Sequence, residues 1–297
     1  MAKVLMKGNE VIAEAAIKAG CRYFFGYPIT PQNEIPAYMA KMLPKVGGSF
    51  IQAESEVSAI NMVYGAAGAG ARVMTSSSSP GISLKQEGIS YIVGAELPCL
   101  IVNIVRGGPG LGGIQPAQSD YFQAVKGGGH GDYHMVVLAP ASVQEMADLV
   151  MDGFDIADRY RNPVMVLGDG MLGQMMAPVE FQEKDILQPQ KPWATTGNRD
   201  GQARRIINSL FIDPQGLEDH VLKLYKKYGA MKENETRVEC YNCEDAEIIV
   251  AAYGTTARIV KNVIKIADQQ GIKVGLIRPI SLWPFPKETF KRWAKAD

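Results

Sequence analysis

The sequence predicts an α/β protein built on a doubly wound parallel sheet, and three observations predict it. Strand-like apolar runs alternate with helical patterns through the first 170 residues. The runs are continuously apolar, as strands buried on both faces are. Most are separated by a stretch of helix length, which is what parallel neighbours require of their connections.

Taken in order, a helical pattern over 9–19 (NEVIAEAAIKA) precedes a strand at 22–28 (RYFFGYP). A helix over 31–43 leads to a strand at 48–53, and a helix over 55–68 leads to RVMTSS at 72–77. Glycines 65, 68 and 70 stand among alanines, a composition that predicts close helix packing. The helix over 79–93 leads to PCLIVNIV at 98–105, and further strands fall at 135–139 and 163–168. Between these two lies a helix over 142–159. Ser142 with Glu145 three residues on is a capping box, and Val143, Met146, Ala147, Val150 and Phe154 recur at helical spacing. The predicted first domain spans 1–184.

The alternation stops after 184. Residues 185–244 read as a linker or arm holding a short charged helix over 216–229, because the segment carries Pro, Gly and charge without a period. Alternation resumes with a strand at 247–254, a helix over 255–271 and a strand at 272–280. Residues 245–297 therefore predict the start of a second α/β domain, one that the chain is expected to leave incomplete, since two strands cannot cover their own faces.

Composition narrows the function. The 297 residues carry 31 Lys+Arg against 31 Asp+Glu and are 46% apolar, which excludes a disordered chain. Zero net charge argues against a nucleic-acid binder held by phosphate neutralisation. No apolar run approaches the length of a membrane span, and Glu10 interrupts the N-terminus too early for a signal peptide. Four cysteines are no disulfide framework, so the expected compartment is the cytoplasm.

In an open parallel sheet, ligands bind beyond the carboxyl ends of the strands. Those ends carry YPITP at 27–31, ESE at 54–56, SSSSPG at 76–81 and RGGPG at 106–110. Two glycine-rich runs, 107–113 and 127–131, are expected on the same edge.

The runs GYPITPQNEI, QAESE, TSSSSPGISL, NIVRGGPG and IQPAQSDYFQA together resemble the alpha subunit of 2-oxoacid:ferredoxin oxidoreductases, most of all the 2-oxoisovalerate subtype. The resemblance implies that 1–184 is the pyrimidine-type domain of the thiamine-diphosphate-binding fold, and that 245–297 is similar to part of a transketolase C-terminal domain. It implies thiamine diphosphate shared with a beta subunit, which holds the diphosphate and Mg²⁺, and iron–sulfur clusters on partner subunits of beta, gamma and delta type. The implied reaction is oxidative decarboxylation of a 2-oxoacid with coenzyme A, giving acyl-CoA, CO₂ and reduced ferredoxin. Other readings are the pyruvate or 2-oxoglutarate subtype, a non-redox transketolase-like enzyme and a regulatory nucleotide-binding module.

Thiamine chemistry needs a carboxyl group against N1′ of the pyrimidine to stabilise its imino form, and burial tunes that group's proton affinity. Glu56, ahead of a small-residue stretch ending in Gly65-Ala66, matches the family's glutamate better than Glu54 does. The 2-oxoacid carboxylate suits a guanidinium, whose fork makes two parallel bonds. Arg106 matches the substrate arginine and Thr30 supplies a hydroxyl beside it. Pro28 and Ser78 are expected to contact cofactor. Gln118, Asp120 and His130 match the family pattern and are expected to line or support the cavity.

Two features are read as decoys. Gly168-Asp169-Gly170 with Asn198 downstream mimics a thiamine-diphosphate Mg²⁺ motif, but Asn198 sits in a Pro/Gly-rich stretch and no metal is assigned to this chain. Cys240-x-x-Cys243 lacks the further ligands of a cluster or zinc site.

Overall fold

The structure is a computed structural model that describes residues 3–182, 189–197, 201 and 203–294. The chain opens with a short strand, β1 (Val4–Lys7), before helix α1 (Gly8–Lys18). Strand β2 (Tyr23–Gly26), helix α2 (Glu34–Met42), strand β3 (Ser49–Gln52) and helix α3 (Glu56–Gly68) follow. Then come β4 (Val73–Ser77), α4 (Pro80–Gly94) and β5 (Leu100–Val105). A short α5 (Tyr121–Lys126) precedes β6 (Val136–Leu138), α6 (Val143–Tyr160), β7 (Val164–Asp169), α7 (Gly170–Gln174) and β8 (Met176–Val179). Elements β1 and β8, which pair with each other in an antiparallel ribbon, and α5 have no counterpart in the sequence reading.

The main sheet runs β3-β2-β4-β5-β7-β6, all in parallel. Every residue of β5 and β7 is buried, as continuous apolar strands covered on both faces should be. Right-handed crossovers put α2 and α6 on one face and α3 and α4 on the other. In accord with this, α1 packs against α2 and α6, and α3 against α4. The chain leaves β2 toward β3 but leaves β4 toward β5, so the strand order reverses between β2 and β4. That reversal opens a crevice at their carboxyl ends.

The closest helix approach is not at glycines 65–70. No atom lies within 4 Å of a Cβ placed at Gly65, whereas one at Gly88 in α4 would meet Ile60 of α3 at 2.4 Å. Gly88 is therefore the residue that lets the two helices touch.

The segment 185–244 is more structured than a linker over its described residues. Helix α8 (Pro214–Asn234) buries Leu224, Tyr228 and Met231 at i, i+4 and i+7 against the first domain's core. Its charged composition hid this narrow apolar stripe. Strand β9 (Val238–Tyr241) joins β10 (Ile248–Ala251) and β11 (Val274–Pro279) in a second sheet ordered β10-β11-β9, with helix α9 (Gly254–Gln269) connecting β10 to β11. Strand β12 (Ser281–Trp283) then returns to the main sheet and pairs antiparallel with β6, ahead of α10 (Lys287–Trp293). Strand β12 thus belongs to the first sheet, and β9, which lies within 185–244, to the second.

A charge network joins the two sheets. The buried Arg278 of β11 makes a forked pair with Glu145 of α6, at 2.8 and 2.9 Å, and reaches Glu239 of β9 at 2.6 Å. Ser142 caps α6 as predicted, accepting from the Glu145 amide at 3.1 Å, but the Glu145 carboxylate takes the Ala141 amide in place of that of Ser142. Among the described residues, no helix is long and apolar enough to cross a membrane.

Candidate active site

The crevice between β2 and β4 is walled by the loops that follow β2, β3, β4 and β5. Glu56 opens α3 behind its N-cap Ser55, whose hydroxyl accepts the Ser58 amide at 3.1 Å. Its side chain is only 7% exposed. It lies against Gly81 in the first turn of α4: a Cβ at Gly81 would stand 2.8 Å from Glu56 Oε1 and 2.1 Å from Ser77 Oγ. A carboxyl group, a hydroxyl and a bare backbone thus converge at the switch point. Ser77 and Ser78 are wholly buried, and their hydroxyl oxygens have no hydrogen-bond partner.

Beneath them, Lys85 is completely buried and donates to Thr75 Oγ1 at 2.7 Å and to the Ser76 carbonyl at 3.0 Å. Burial pushes its pKa down to about 7, against the field of Glu56, which raises it. Gln32, also buried, accepts from the Ser76 hydroxyl and donates to the Tyr27 carbonyl at 3.4 Å, tying the loop after β2 to β4.

The loop after β4 is strained. Ser79 has φ 24°, a conformation that L residues adopt only when neighbours impose it. Those neighbours are Asn103, whose Oδ1 accepts the Ser79 amide at 3.1 Å, and Arg106, whose amide donates to Ser79 Oγ at 3.0 Å. Asn103 also donates to Asp120 at 2.9 Å. A polar residue in the middle of the buried strand LIVNIV is a signal that could have marked Asn103 as a site residue. A lysine on the inner face of an apolar helix could have marked Lys85.

Arg106 is 7% exposed, and its guanidinium donates to the carbonyls of Thr30 at 2.9 Å and Leu111 at 3.0 Å. It therefore fastens the loop after β2 to the loop after β5. Its Nε–H is buried without a partner. Thr30 and Pro28 are exposed at the mouth of the crevice. Thr30 lines a cleft of about 700 Å³ whose far walls are Ile114, Pro116, Gly170 and Met171. A second cleft of about 510 Å³ is lined by Ser79, Gly108, Pro109 and Asp120.

Not every expected residue arrives here. Gln118 donates to the Tyr253 carbonyl at 2.9 Å and accepts from Thr256 at 2.8 Å, so it fastens the start of α9 to the first domain. His130 is exposed and lies 3.4 Å from Ser90, far down α4 from Pro80. Ten residues of helix are about 15 Å, which places His130 and the 127–131 loop toward the opposite edge of the sheet. Gly128 and Gly129 serve packing, since a Cβ at Gly129 would meet the Gln86 carbonyl at 2.6 Å and one at Gly128 the Gln86 side chain at 2.8 Å. Asp169 caps α7 through Oδ1, which accepts the Met171 and Leu172 amides at 2.9 and 3.1 Å. Asn198 lies outside the described residues. Cys240 lies in β9 and not in a linker; Cys243 is buried, its thiol donating to the Leu276 carbonyl at 3.3 Å.

Residues 14–241 match the family described as pyruvate flavodoxin/ferredoxin oxidoreductase, thiamine-diphosphate-binding. Residues 246–296 match core domain II of pyruvate:ferredoxin oxidoreductase. The chain is 53% identical to the ketoisovalerate oxidoreductase subunit VorB of Methanothermobacter marburgensis, over 99% of this chain and 84% of that protein. It is 36% identical to the 2-oxoglutarate synthase subunit KorA of Methanocaldococcus jannaschii, over 97% of this chain and 84% of that one. Among solved structures it is similar to the 2-oxoglutarate:ferredoxin oxidoreductase from Magnetococcus marinus with 2-oxoglutarate, coenzyme A and succinyl-CoA bound. The TM-score is 0.86 and the identity 29%, over 98% of this chain and 56% of that one.

Proposed function

The chain belongs to the pyruvate flavodoxin/ferredoxin oxidoreductase family, and from that membership we infer that it is the alpha-type subunit of a thiamine-diphosphate-dependent oxidoreductase acting on branched-chain 2-oxoacids. The observation that carries the site is the buried Glu56 carboxyl seated on Gly81 at the switch point, beside the orphaned hydroxyls of Ser77 and Ser78. A flat polar heterocycle fits that donor set: a carboxyl for a ring nitrogen, hydroxyls for an amino group, and a glycine where a side chain would block approach.

Thiamine diphosphate, when bound, supplies a nucleophilic thiazolium carbon for the 2-oxo group and takes up the electrons left as CO₂ departs. This chain contributes the surroundings. Glu56 holds a proton against the pyrimidine nitrogen. Arg106 fixes the two loops of the crevice and offers its unpartnered Nε–H to the 2-oxoacid carboxylate, with the Thr30 hydroxyl and Pro28 at the rim. Ser78 and Asp120 complete the polar wall, while Ile114 and Met171 give the cleft beside Thr30 an apolar side suited to a branched alkyl tail. A beta-type subunit would close the exposed rim and hold the diphosphate and Mg²⁺. The iron–sulfur clusters that accept the electrons, the passage to ferredoxin and the transfer of the acyl group to coenzyme A belong to the assembled complex.

The reading is tested by assaying the reconstituted complex, with coenzyme A and a low-potential acceptor, on 2-oxoisovalerate, pyruvate and 2-oxoglutarate. An apolar pocket discriminates by about tenfold or more per methylene-sized difference, so kcat/KM should favour 2-oxoisovalerate by at least that factor. Preference for 2-oxoglutarate would refute it. Arg106→Lys should raise KM about 10- to 100-fold, the worth of one or two charge-assisted hydrogen bonds. One ammonium cannot span Thr30 and Leu111 and still face a carboxylate. An unchanged KM would remove Arg106 from the site.

A further inference from the structure

Lys85 is a fully buried charge outside the donor set proposed for the heterocycle. It lies on α4 one turn beyond Gly81, and residues four apart on a helix are neighbours, about 5–6 Å between Cβ atoms. Helical side chains lean toward the helix N-terminus, which brings the ammonium back toward the crevice. Its two hydrogen bonds, to the Thr75 hydroxyl and the Ser76 carbonyl, place it on β4 directly before Ser77. The Ser77 hydroxyl and Glu56 both abut Gly81. The ammonium therefore sits beneath the floor on which the Glu56 carboxyl rests, with one of its three N–H donors left over.

Both hydrogen-bond partners of Lys85 are neutral. A buried ammonium so placed is costly unless an anion lies within reach of its field. From β4 it faces only a hydroxyl and a carbonyl; from α3, Glu56 is the charged group whose field acts on it.

We propose that Lys85 is a positioning residue that acts on the cofactor through Glu56: its ammonium favours the passage of a proton from the carboxyl oxygen to the pyrimidine nitrogen. No other atom moves, and the carboxylate left behind is stabilised by the ammonium below it. The inference rests on the reading that Glu56 faces that nitrogen. It differs from a structural role, in which Lys85 only ties α4 to β4 by hydrogen bonds.

The two are separated in the reconstituted complex, loaded with thiamine diphosphate and Mg²⁺ but given no 2-oxoacid. The readout is the rate of C2–H exchange for deuterium in bound cofactor, by acid quench and proton NMR, with the Kd for thiamine diphosphate measured alongside. Lys85→Gln keeps donors for Thr75 and Ser76 but loses the charge, and Lys85→Met loses both. Both should slow exchange about tenfold or more, the rate worth of one lost charge interaction of about 1.4 kcal/mol, at unchanged Kd. In the wild type, exchange should step down as pH rises through neutrality, where Lys85 gives up its proton. Both variants should lack that step. Wild-type exchange in Lys85→Gln, with Glu56→Gln inert, overturns the role of Lys85 alone. Wild-type exchange in Glu56→Gln overturns the reading of Glu56 and this inference with it. Should neither lysine variant assemble, the wild-type profile decides: exchange that only climbs across neutral pH overturns the proposal.

Discussion

Glu56→Gln should lower kcat of the reconstituted complex by about a hundredfold or more, the usual worth of a positioned proton-transfer group. The amide matches the carboxyl in shape, so the contact with Gly81 is kept. An acidic residue in a helix's first turn is worth about 0.3–1 kcal/mol, and Lys85, left without the field of the carboxylate, can give up its proton near neutrality instead of standing as an uncompensated buried charge. The Ser55 cap of α3 is untouched. Thiamine diphosphate should still bind, because shape and the hydroxyls remain, while the proton shared with the ring nitrogen is lost. The measurement is turnover with saturating 2-oxoisovalerate, together with the melting temperature of the complex. Near-normal turnover would sink the assignment of Glu56.

Gly81→Ala should be nearly as damaging, although the new residue is chemically inert. Alanine is favoured over glycine in a helix by about 1 kcal/mol, and propensity alone would predict a gain. Sterics reverse it. The added methyl would stand 2.1 Å from Ser77 Oγ, 2.8 Å from Glu56 Oε1 and 3.2 Å from Glu56 Cγ, so the carboxyl has to leave its seat. Overpacking of this kind costs about 1–3 kcal/mol, and here the distortion falls on the group that must meet the cofactor. Turnover should drop about 10- to 100-fold, on the scale of a misplaced catalytic group, and the affinity for thiamine diphosphate should weaken. Gly65→Ala is the control, because nothing stands within 4 Å of its Cβ position; it should leave both unchanged. Equal behaviour of the two variants would show that the Gly81 seat does not matter.

The main sheet was legible because its strands are buried on both faces and so read as unbroken apolar runs. The strand-end rule then placed Thr30, Glu56, Ser78 and Arg106 at one edge without any knowledge of side-chain geometry. What stayed hidden has physical reasons. Strands β1, β8 and β12 are only three or four residues each and lie at edges, too short for a period to show. Helix α8 hides its three core residues among charges. The 127–131 loop looked like a binding loop because glycine density alone does not tell close packing from ligand approach; Gly128 and Gly129 receive α4. The role of Arg106 was half visible: the strand end predicted where it begins, but not that two backbone carbonyls would claim its guanidinium. Gln118 was expected at the cavity because it matches the family pattern, whereas its amide reaches across to the start of α9.

Strand β12 bears on how the gene product can be cut. It covers the β6 edge of the main sheet after the chain has already passed through β9, β10 and β11. Any fragment that stops at residue 244 would therefore leave β6 as a bare outer strand of continuous apolar residues, the kind of edge that recruits other chains. Cloning the cofactor-binding half by itself would yield a sticky sheet, because a residue as distant as Trp283 is what seals it.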